Sequence, residues 1–521
     1  MNKGLTLGLL FATVLALALR CPRLAERPMH NDEAVNAMKF GALWQNGDYK
    51  YDPNEHHGPT LYYATLAVAR LTSSPDFEHL TEIKLRLIPV LFSMGLILLL
   101  PLLADGVGKK AAVWAAILMA VSPAMVFYGR YYIHEMLLVF FTFLALASGW
   151  RYWRSRRIGW ALLLGASLGL MFATKETFII TLAAAGLALG LNQIWNRMFD
   201  ASGRPERACP LNWKHAAAVL AACLLVAFLL FSSFLSNPKG LIDSIRTYSP
   251  WLSRAGGASP HIHPWDFYFH RLLFFHTANG PIWTEVLIFA LGLVGMWVGF
   301  AHKGLTEASA SLVRFLALYT CFVTAAYSLI GYKTPWCLLS FWHGMILLAG
   351  VGATALVRMT KRPWPKIALS LLLLAGAGQL AAQAWQAAVP YAANPKNPYV
   401  YAQTSPDILK LVNRVEALAR VHPQGHEMLV KVMARESEFW PLPWYLRGFK
   451  KIGWWERIPD DPFAPVMIVS SKFHAELDEK KTHLMTGIFQ LRPGEFFELY
   501  VELDLWRAWL ARTTAGPQTP Q

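Results

Sequence analysis

Apolar residues in this chain run in long blocks and seldom alternate with polar ones. A helix needs about 20 mostly apolar residues to cross a bilayer. Blocks of roughly that kind recur at 5–20, 84–104, 111–128, 136–150, 159–173, 177–194, 215–236, 284–301, 311–330, 338–357 and 367–388. The pattern predicts about eleven membrane helices, the shortest needing tilt or local thinning of the bilayer. The first block ends in Leu19-Arg20-Cys21-Pro22, with Arg20 where a signal-peptide cleavage site needs a small residue, so it reads as a retained helix. Beyond 389 the pattern changes. Segments 428–433 and 464–470 read as strands, and 405–419 has a helical apolar period. The expected fold class is therefore an α-helical polytopic membrane protein with a small C-terminal α/β domain. A transmembrane domain over 1–389 carries long loops at 21–83 and 237–283, and a soluble domain covers 390–521. In the first loop, 33–44 reads as a short helix and 60–71 as a segment lying along the membrane surface.

Composition narrows the class. Hydrophobic residues make up 55% of the 521 and charged residues 16%, against roughly 25% charged in an average soluble protein. A disordered chain, a collagen-like chain and a soluble nucleic-acid binder are excluded by that apolar load. The net charge of +15 is uneven: 390–521 holds 16 basic and 15 acidic residues, leaving +14 on the first 389. Most loop cations fall in alternate turns: Lys109 and Lys110; Arg151, Arg154, Arg156 and Arg157; Arg197, Arg204, Arg207 and Lys214; Lys303; Arg358, Lys361, Arg362 and Lys366. The intervening short turns hold only Arg130, Lys175 and Lys333. The positive-inside rule then predicts a cytoplasmic N-terminus and an extracytoplasmic C-terminal domain, in the cell (inner) membrane. The charge is topological, and no nucleic-acid partner is expected. Five scattered cysteines make no disulfide framework or zinc knuckle, although Cys21 and Cys337 share a predicted face and leave one bridge open.

Candidate chemistry collects in the turns on the predicted outer face. His30-Asn31-Asp32-Glu33-Ala34 sets two carboxylates beside an imidazole, enough for a general base and an orienting partner; the plainer reading is a charged first helical turn. Glu55, His56 and His57 offer ligands to a divalent metal, with His261 and His263 of the second long loop able to complete the set. Arg130 and Glu135 flank a tight tyrosine-rich turn at a depth where unpaired charge is costly. Lys175 and Lys333 sit in two more tight turns on the side where lysine is disfavoured. Together Arg130, Lys175 and Lys333 suggest a site for a phosphate held at the interface.

These segments resemble the GT-C superfamily of polytopic glycosyltransferases, which includes the protein O-mannosyltransferases and the lipid A aminoarabinose transferases. The likeness rests on the early Asp32-Glu33 pair, the surface segment 58–63, and a short second outer loop with Arg130 and Glu135. Residues 30–34, 55–63, 129–135, 175–177, 333–336, 399–407 and 440–447 are most similar to the flippase-associated protein subgroup. The resemblance implies a hexosyltransferase that moves a sugar from a polyprenyl-phosphate donor to an acceptor hydroxyl by inverting displacement. It implies Asp32 as base, Glu33 as acceptor holder and Glu135 as the second-loop acid. The departing phosphate calls for positive charge, from a metal or from Arg130, Lys175 and Lys333. On its reference pKa an aspartate such as Asp32 is ionised at neutral pH and needs no special tuning to accept a proton. One departure concerns the histidines: aminoarabinose-transferase relatives carry Lys-Pro-Pro where this chain reads His57-Gly58-Pro59. The implied partners are the lipid-linked sugar, membrane lipids, and an acceptor that is a protein, lipid or glycan of a glycosylation system of the cell envelope.

Two rival classes remain. A flippase or transporter of lipid-linked sugars would place ionisable groups near the bilayer midplane, whereas here polar clusters gather at one end of the spans. In a non-catalytic glycosylation subunit, the paired carboxylates would be incidental.

Overall fold

The computed structural model describes residues 3–47, 49–54, 57–199, 212–257, 259–301, 304–305 and 307–514. Glu55, His56, Arg204, Arg207 and Lys303 lie outside the described residues. Eight described helices are long and apolar enough to cross a membrane: Lys3–Arg20, Glu82–Leu102, Glu135–Ser155, Phe178–Phe199, Trp213–Phe231, Ala310–Leu329, Pro335–Met359 and Pro363–Ala388. Two shorter apolar helices, Ile158–Phe172 and Val286–Ala301, lie among them. The remaining predicted span is divided into Lys109–Val121 and Pro123–Tyr128. Together these account for the eleven apolar blocks.

The division has a local cause. Pro123 has no N–H to give the carbonyl of Met119, and the Ala124 amide turns away from Ala120 to Glu285 Oε1 at 2.9 Å. Two helix carbonyls are thereby orphaned, which apolar surroundings do not tolerate. The buried guanidinium of Arg20 takes both: Nη2 donates to Met119 O at 2.8 Å and Nη1 to Ala120 O at 2.9 Å. Glu285 in turn accepts from Ser122 Oγ at 2.5 Å, Trp342 Nε1 at 3.1 Å and the Tyr399 hydroxyl at 2.6 Å. A break that looks like a defect is a fully bonded junction of five segments.

Hydrophobicity does not drive helices together inside lipid, so close backbone approach at small residues matters more. Helix Val286–Ala301 meets helix Leu339–Met359 so closely that a Cβ on Gly295 would lie 2.0 Å from Leu348 O, and one on Gly352 2.0 Å from Leu291 O. A Cβ on Gly165 would lie 2.2 Å from Val219 O, on the helix Trp213–Phe231. All three carbons would be far inside contact distance.

The C-terminal sheet has the order β2-β1-β3-β5-β4, with β1 Leu429–Met433, β2 Lys451–Trp455, β3 Val466–Ser470, β4 His483–Arg492 and β5 Glu495–Glu502. β1 runs parallel to β2 and β3; β5 pairs antiparallel with β3 and β4. The apolar face of helix Asp407–Ala419, with Ile408, Leu411 and Val415 fully buried, closes one side of the sheet. The segment between β1 and β2 clamps this unit to the first loop. Trp444 Nε1 donates to Glu82 Oε1 at 2.8 Å, Met29 N to the Tyr445 hydroxyl at 2.8 Å, and Arg447 Nη2 to Leu80 O at 2.6 Å. Helices Asn31–Asn46 and Thr60–Leu71 match the short elements predicted in that loop. Cys21 and Cys337 are both free thiols, so the open bridge is not made.

Filling the tight helix contact tests its weight. Gly352→Leu should cost about 1–3 kcal/mol or more by overpacking, read as a lower apparent Tm of the detergent-solubilised protein. Gly190→Leu, with nothing within 4 Å of its Cβ position, should leave Tm unchanged.

Candidate active site

Helix Asn31–Asn46 begins with a capping box. His30 Nδ1 accepts from the Asp32 amide at 3.1 Å, and Glu33 Oε2 accepts from the His30 amide at 3.0 Å. Since Nδ1 accepts, the ring proton belongs on Nε2, which faces Tyr401 O at 3.0 Å. Burial pushes the His30 imidazole below its ordinary pKa, so it is neutral and both of its nitrogens are in use.

Glu33 is fully buried and accepts five hydrogen bonds. Oε1 takes Arg27 Nη2 at 2.8 Å, Arg86 Nε at 3.0 Å and Tyr132 N at 3.0 Å; Oε2 takes Arg86 Nη2 at 2.8 Å besides His30 N. Burial alone would raise its pKa, but Arg27 and Arg86 outweigh that and hold it at about 2. The role implied for Glu33, holding an acceptor, is therefore corrected: no oxygen is left free to meet a substrate. Its neighbour Asp32 is the opposite case, with a side chain 42% exposed and the neutral His30 ring, its Nδ1 3.9 Å away, beside it. The hub fixes the helix start and leaves one carboxylate projecting from it.

Rings and cations from other parts of the chain gather around His30 and the His261–His263 loop, near Asp32. His30 meets Trp336 edge-on at 5.6 Å between ring centroids and Tyr131 at 5.4 Å. The Tyr401 hydroxyl is shared by His261 Nδ1 at 2.7 Å and His263 Nε2 at 3.1 Å. Lys333 is 2% exposed; its amide bonds His261 O at 2.8 Å, and its ammonium donates to His263 O at 3.0 Å and Ile330 O at 2.5 Å. No carboxylate pairs with Lys333 among the described residues, and burial lowers its pKa. Arg271 stacks on Phe267 at 3.8 Å, and its buried Nε has no hydrogen-bond partner. Arg271, Lys333 and His261 all act electrostatically on His263, and Asp32 acts on His261. An exposed acid and two cations without carboxylate partners thus share one neighbourhood.

The other candidate cations are already spent. Lys175 is buried and paired with Glu135; burial opposes its charge, but the Glu135 carboxylate overcomes this and keeps it protonated. Arg130 caps the end of helix Lys3–Arg20 and its loop, donating to Leu19 O at 3.4 Å and Arg23 O at 3.1 Å. Burial, with Arg27 and Arg86 nearby, lowers its pKa to about 9. Arg130, like Lys333, has no carboxylate partner among the described residues and donates to backbone carbonyls; Lys333 is set apart by its bonds to the His261–His263 loop, whose His261 feels Asp32. Glu135 is likewise corrected, from a second catalytic acid to the partner of Lys175.

A metal set does not assemble from the described part of the forecast. His57 Nδ1 lies 2.8 Å from Glu176 Oε2, and its ring stacks on Trp251, while His261 and His263 bind the Tyr401 hydroxyl. Among the described residues, no three His, Cys, Asp or Glu side chains gather with metal-binding geometry. The sequence reading passed over Arg271, Tyr401 and Arg86. Arg271 sits in a loop scanned for histidines, and the charge of Arg86 is hidden inside a predicted apolar span.

Residues 11–236 match the family model described as dolichyl-phosphate-mannose-protein mannosyltransferase. No curated protein sequence matches the chain. The fold is similar to that of ArnT from Cupriavidus metallidurans bound to undecaprenyl phosphate, with a TM-score of 0.64 and 13% identity over 97% of this chain and 99% of that one. The same protein in its apo state gives a TM-score of 0.63 and 14% identity over 96% and 98%. The archaeal oligosaccharyltransferase AglB from Archaeoglobus fulgidus, in complex with an inhibitory peptide and a dolichol-phosphate, gives 0.54 and 14% over 86% of this chain and 63% of that one. At such identities the likeness is one of fold.

The Glu33 hub makes a pH prediction. Its folded pKa lies below the ordinary 4.5, so its stabilisation is complete above that value and is lost as pH falls toward about 2. Glu33→Gln leaves two buried arginines short of a counter-charge and should cost about 3–5 kcal/mol at neutral pH. Thermal unfolding from pH 7 to pH 3 should show the variant less stable at pH 7 and the gap narrowing as the pH falls.

Proposed function

We propose that this chain, a membrane glycosyltransferase of the GT-C fold, transfers a sugar from a polyprenyl-phosphate donor to an acceptor hydroxyl on the extracytoplasmic face. One observation carries the reading: the exposed carboxylate of Asp32 stands on a fixed helix start and shares the neighbourhood of His261 and His263 with two cations, buried Lys333 and half-buried Arg271, that have no carboxylate partner among the described residues. That charge order suits a single displacement. Asp32 removes the proton of the acceptor hydroxyl as its oxygen attacks the anomeric carbon. The sugar–phosphate bond breaks on the opposite side of that carbon, which inverts its configuration. Negative charge gathers on the departing phosphate, where Lys333 and Arg271 stabilise it in surroundings poor in water. Trp336 and Tyr401 supply the walls between acid and cations.

The lipid chain has a groove to follow. An apolar cleft of ≈ 470 Å³ runs between helices Glu135–Ser155, Ile158–Phe172, Phe178–Phe199 and Ala310–Leu329, lined by Leu146, Leu168, Met171, Thr181, Leu189 and Phe315. Met171 lies just before the turn that holds Lys175, so the groove leads toward the polar end of the bundle. Loop charge supports an orientation in the cell (inner) membrane with a cytoplasmic N-terminus. Residues 1–389, with loops 21–83 and 237–283, then form the transferase body, and 390–521 the extracytoplasmic domain.

Asp32→Asn should lower sugar transfer from a polyprenyl-phosphate donor by about 10²–10⁴-fold while donor binding persists; undiminished transfer would remove Asp32 as the base and favour a transport or assembly role. Lys333→Gln and Arg271→Gln should each cut kcat by about 10²-fold or more with Tm near that of the parent. Lys175→Gln should act chiefly on stability, since it leaves Glu135 buried and unpaired. The pair of readouts separates a phosphate ligand from a structural cation.

A further inference from the structure

A cavity lies apart from the residues around Asp32. It is a cleft of ≈ 670 Å³ where the ends of helices Lys3–Arg20 and Pro363–Ala388 meet the C-terminal domain. Ala388, Val389 and Ala393 line one side, Gln490 and Pro493 of the β4–β5 hairpin another, and Arg23 and Arg27 a third. The Arg27 side chain is only 6% exposed. Its Nη2 serves Glu33 and Arg130 O and its plane lies on the Tyr131 ring, while the buried Nη1 makes no hydrogen bond among the described residues. A guanidinium N–H left unpaired in a buried position is costly unless something else accepts it. Arg23 adds a second guanidinium, 58% exposed and held loosely by Glu26 at 3.5 Å. Arg23 pairs with Glu26, and Arg27 shares Glu33 with Arg86, so three arginines stand against two carboxylates and this wall is net positive; a two-armed arginine site suits phosphate oxygens.

The surroundings choose among phosphate-bearing ligands. No aromatic ring lines the cleft to stack on a sugar. Its apolar wall is the last turn of an apolar helix and the residues just beyond it. The two helices that lead to it expose Leu17 and Trp385 near the same end, as surfaces facing lipid do. We propose that this cleft is a second anion site, which seats the phosphate of an anionic membrane lipid on Arg23 and Arg27, with the acyl chains lying along helices Lys3–Arg20 and Pro363–Ala388. The site is coupled to the residues around Asp32 through one wall. Arg27 stacks on Tyr131 at 3.9 Å, and the Tyr131 hydroxyl donates to Gln403 Oε1 at 2.5 Å, two residues from Tyr401. Occupancy therefore stiffens the strap that carries Tyr401.

The test is lipid retention by the full-length protein in detergent, read by native mass spectrometry with phosphatidylglycerol and phosphatidylcholine as competing probes. The parent protein should retain phosphatidylglycerol by about tenfold over phosphatidylcholine. Arg23→Gln should reduce that preference several-fold. Arg27→Gln should abolish it, but this change also loosens the Glu33 hub. Ala393→Phe fills the cleft without touching an ion pair and should abolish the preference in a protein of normal Tm. An unchanged preference in both Arg23→Gln and Ala393→Phe would overturn the proposal. Inorganic phosphate is the second probe: retention that survives millimolar phosphate assigns the anion to a membrane lipid. Protection of Tm by phosphate, with no preference between the lipids, would overturn the lipid assignment.

Discussion

The buried carboxylate of Glu33 is the point on which the polar end of this molecule depends. Two guanidiniums from different segments converge on it, Arg27 from the first loop and Arg86 from the second membrane helix. Arg86 also donates to Leu24 O at 2.6 Å and Arg27 O at 2.8 Å, gathering the loop backbone around itself. The Tyr132 amide brings in the turn before helix Glu135–Ser155. A buried ion cluster of this kind is not strongly stabilising compared with a well-packed apolar one, but breaking it is expensive. What it supplies is position. The loop, the helix start at Asn31 and the tyrosine turn have one mutual arrangement in which all five bonds to Glu33 are made.

That constraint explains how adjacent acids come to differ. Asp32 and Glu33 have similar intrinsic chemistry and sit one residue apart, so about 100° separates them around the helix. One turns into the protein and is consumed by arginines. The other turns outward beside His30. A second carboxylate junction, Glu285, holds the opposite wall. It bonds Ser122, Ala124, Trp342 and Tyr399, and thereby anchors the strap whose Tyr401 carbonyl meets His30. Two carboxylates, Glu33 and Glu285, are thus fully engaged in hydrogen bonds, while that of Asp32 is left exposed. Lys333 and Arg271 follow the same logic in reverse: among the described residues no carboxylate pairs with them, whereas Lys175 has Glu135.

Much of the architecture was legible along the chain. All eleven apolar blocks form helices, because a bilayer-length run of apolar residues has few alternatives. The strands at 429–433 and 466–470 and the helix at 407–419 follow from local periodicity. β2, β4 and β5 were missed: β2 is half-buried along its length, and β4 and β5 carry polar and glycine interruptions that blur a period of two. The family match over 11–236 and the fold likeness agree with the resemblance seen in the turns. Picking the working residues out of those turns was less successful, since Arg130, Lys175, Lys333, Glu33 and Glu135 look alike as charged residues at the ends of apolar runs.

The sequence by itself determined the membrane-spanning class, the number of helices, the change to a sheet-bearing tail, and the cluster of charged turns at one end of the bundle. These follow from hydrophobic block length and charge placement, which are local quantities. Only the tertiary structure decided which charges cancel. Pairing of Glu33 with Arg86, or of Lys175 with Glu135, joins residues 53 and 40 positions apart. No local pattern encodes such a distance. A buried charge takes its meaning from the partner that packing brings to it, and a substrate can use only the charges left without one.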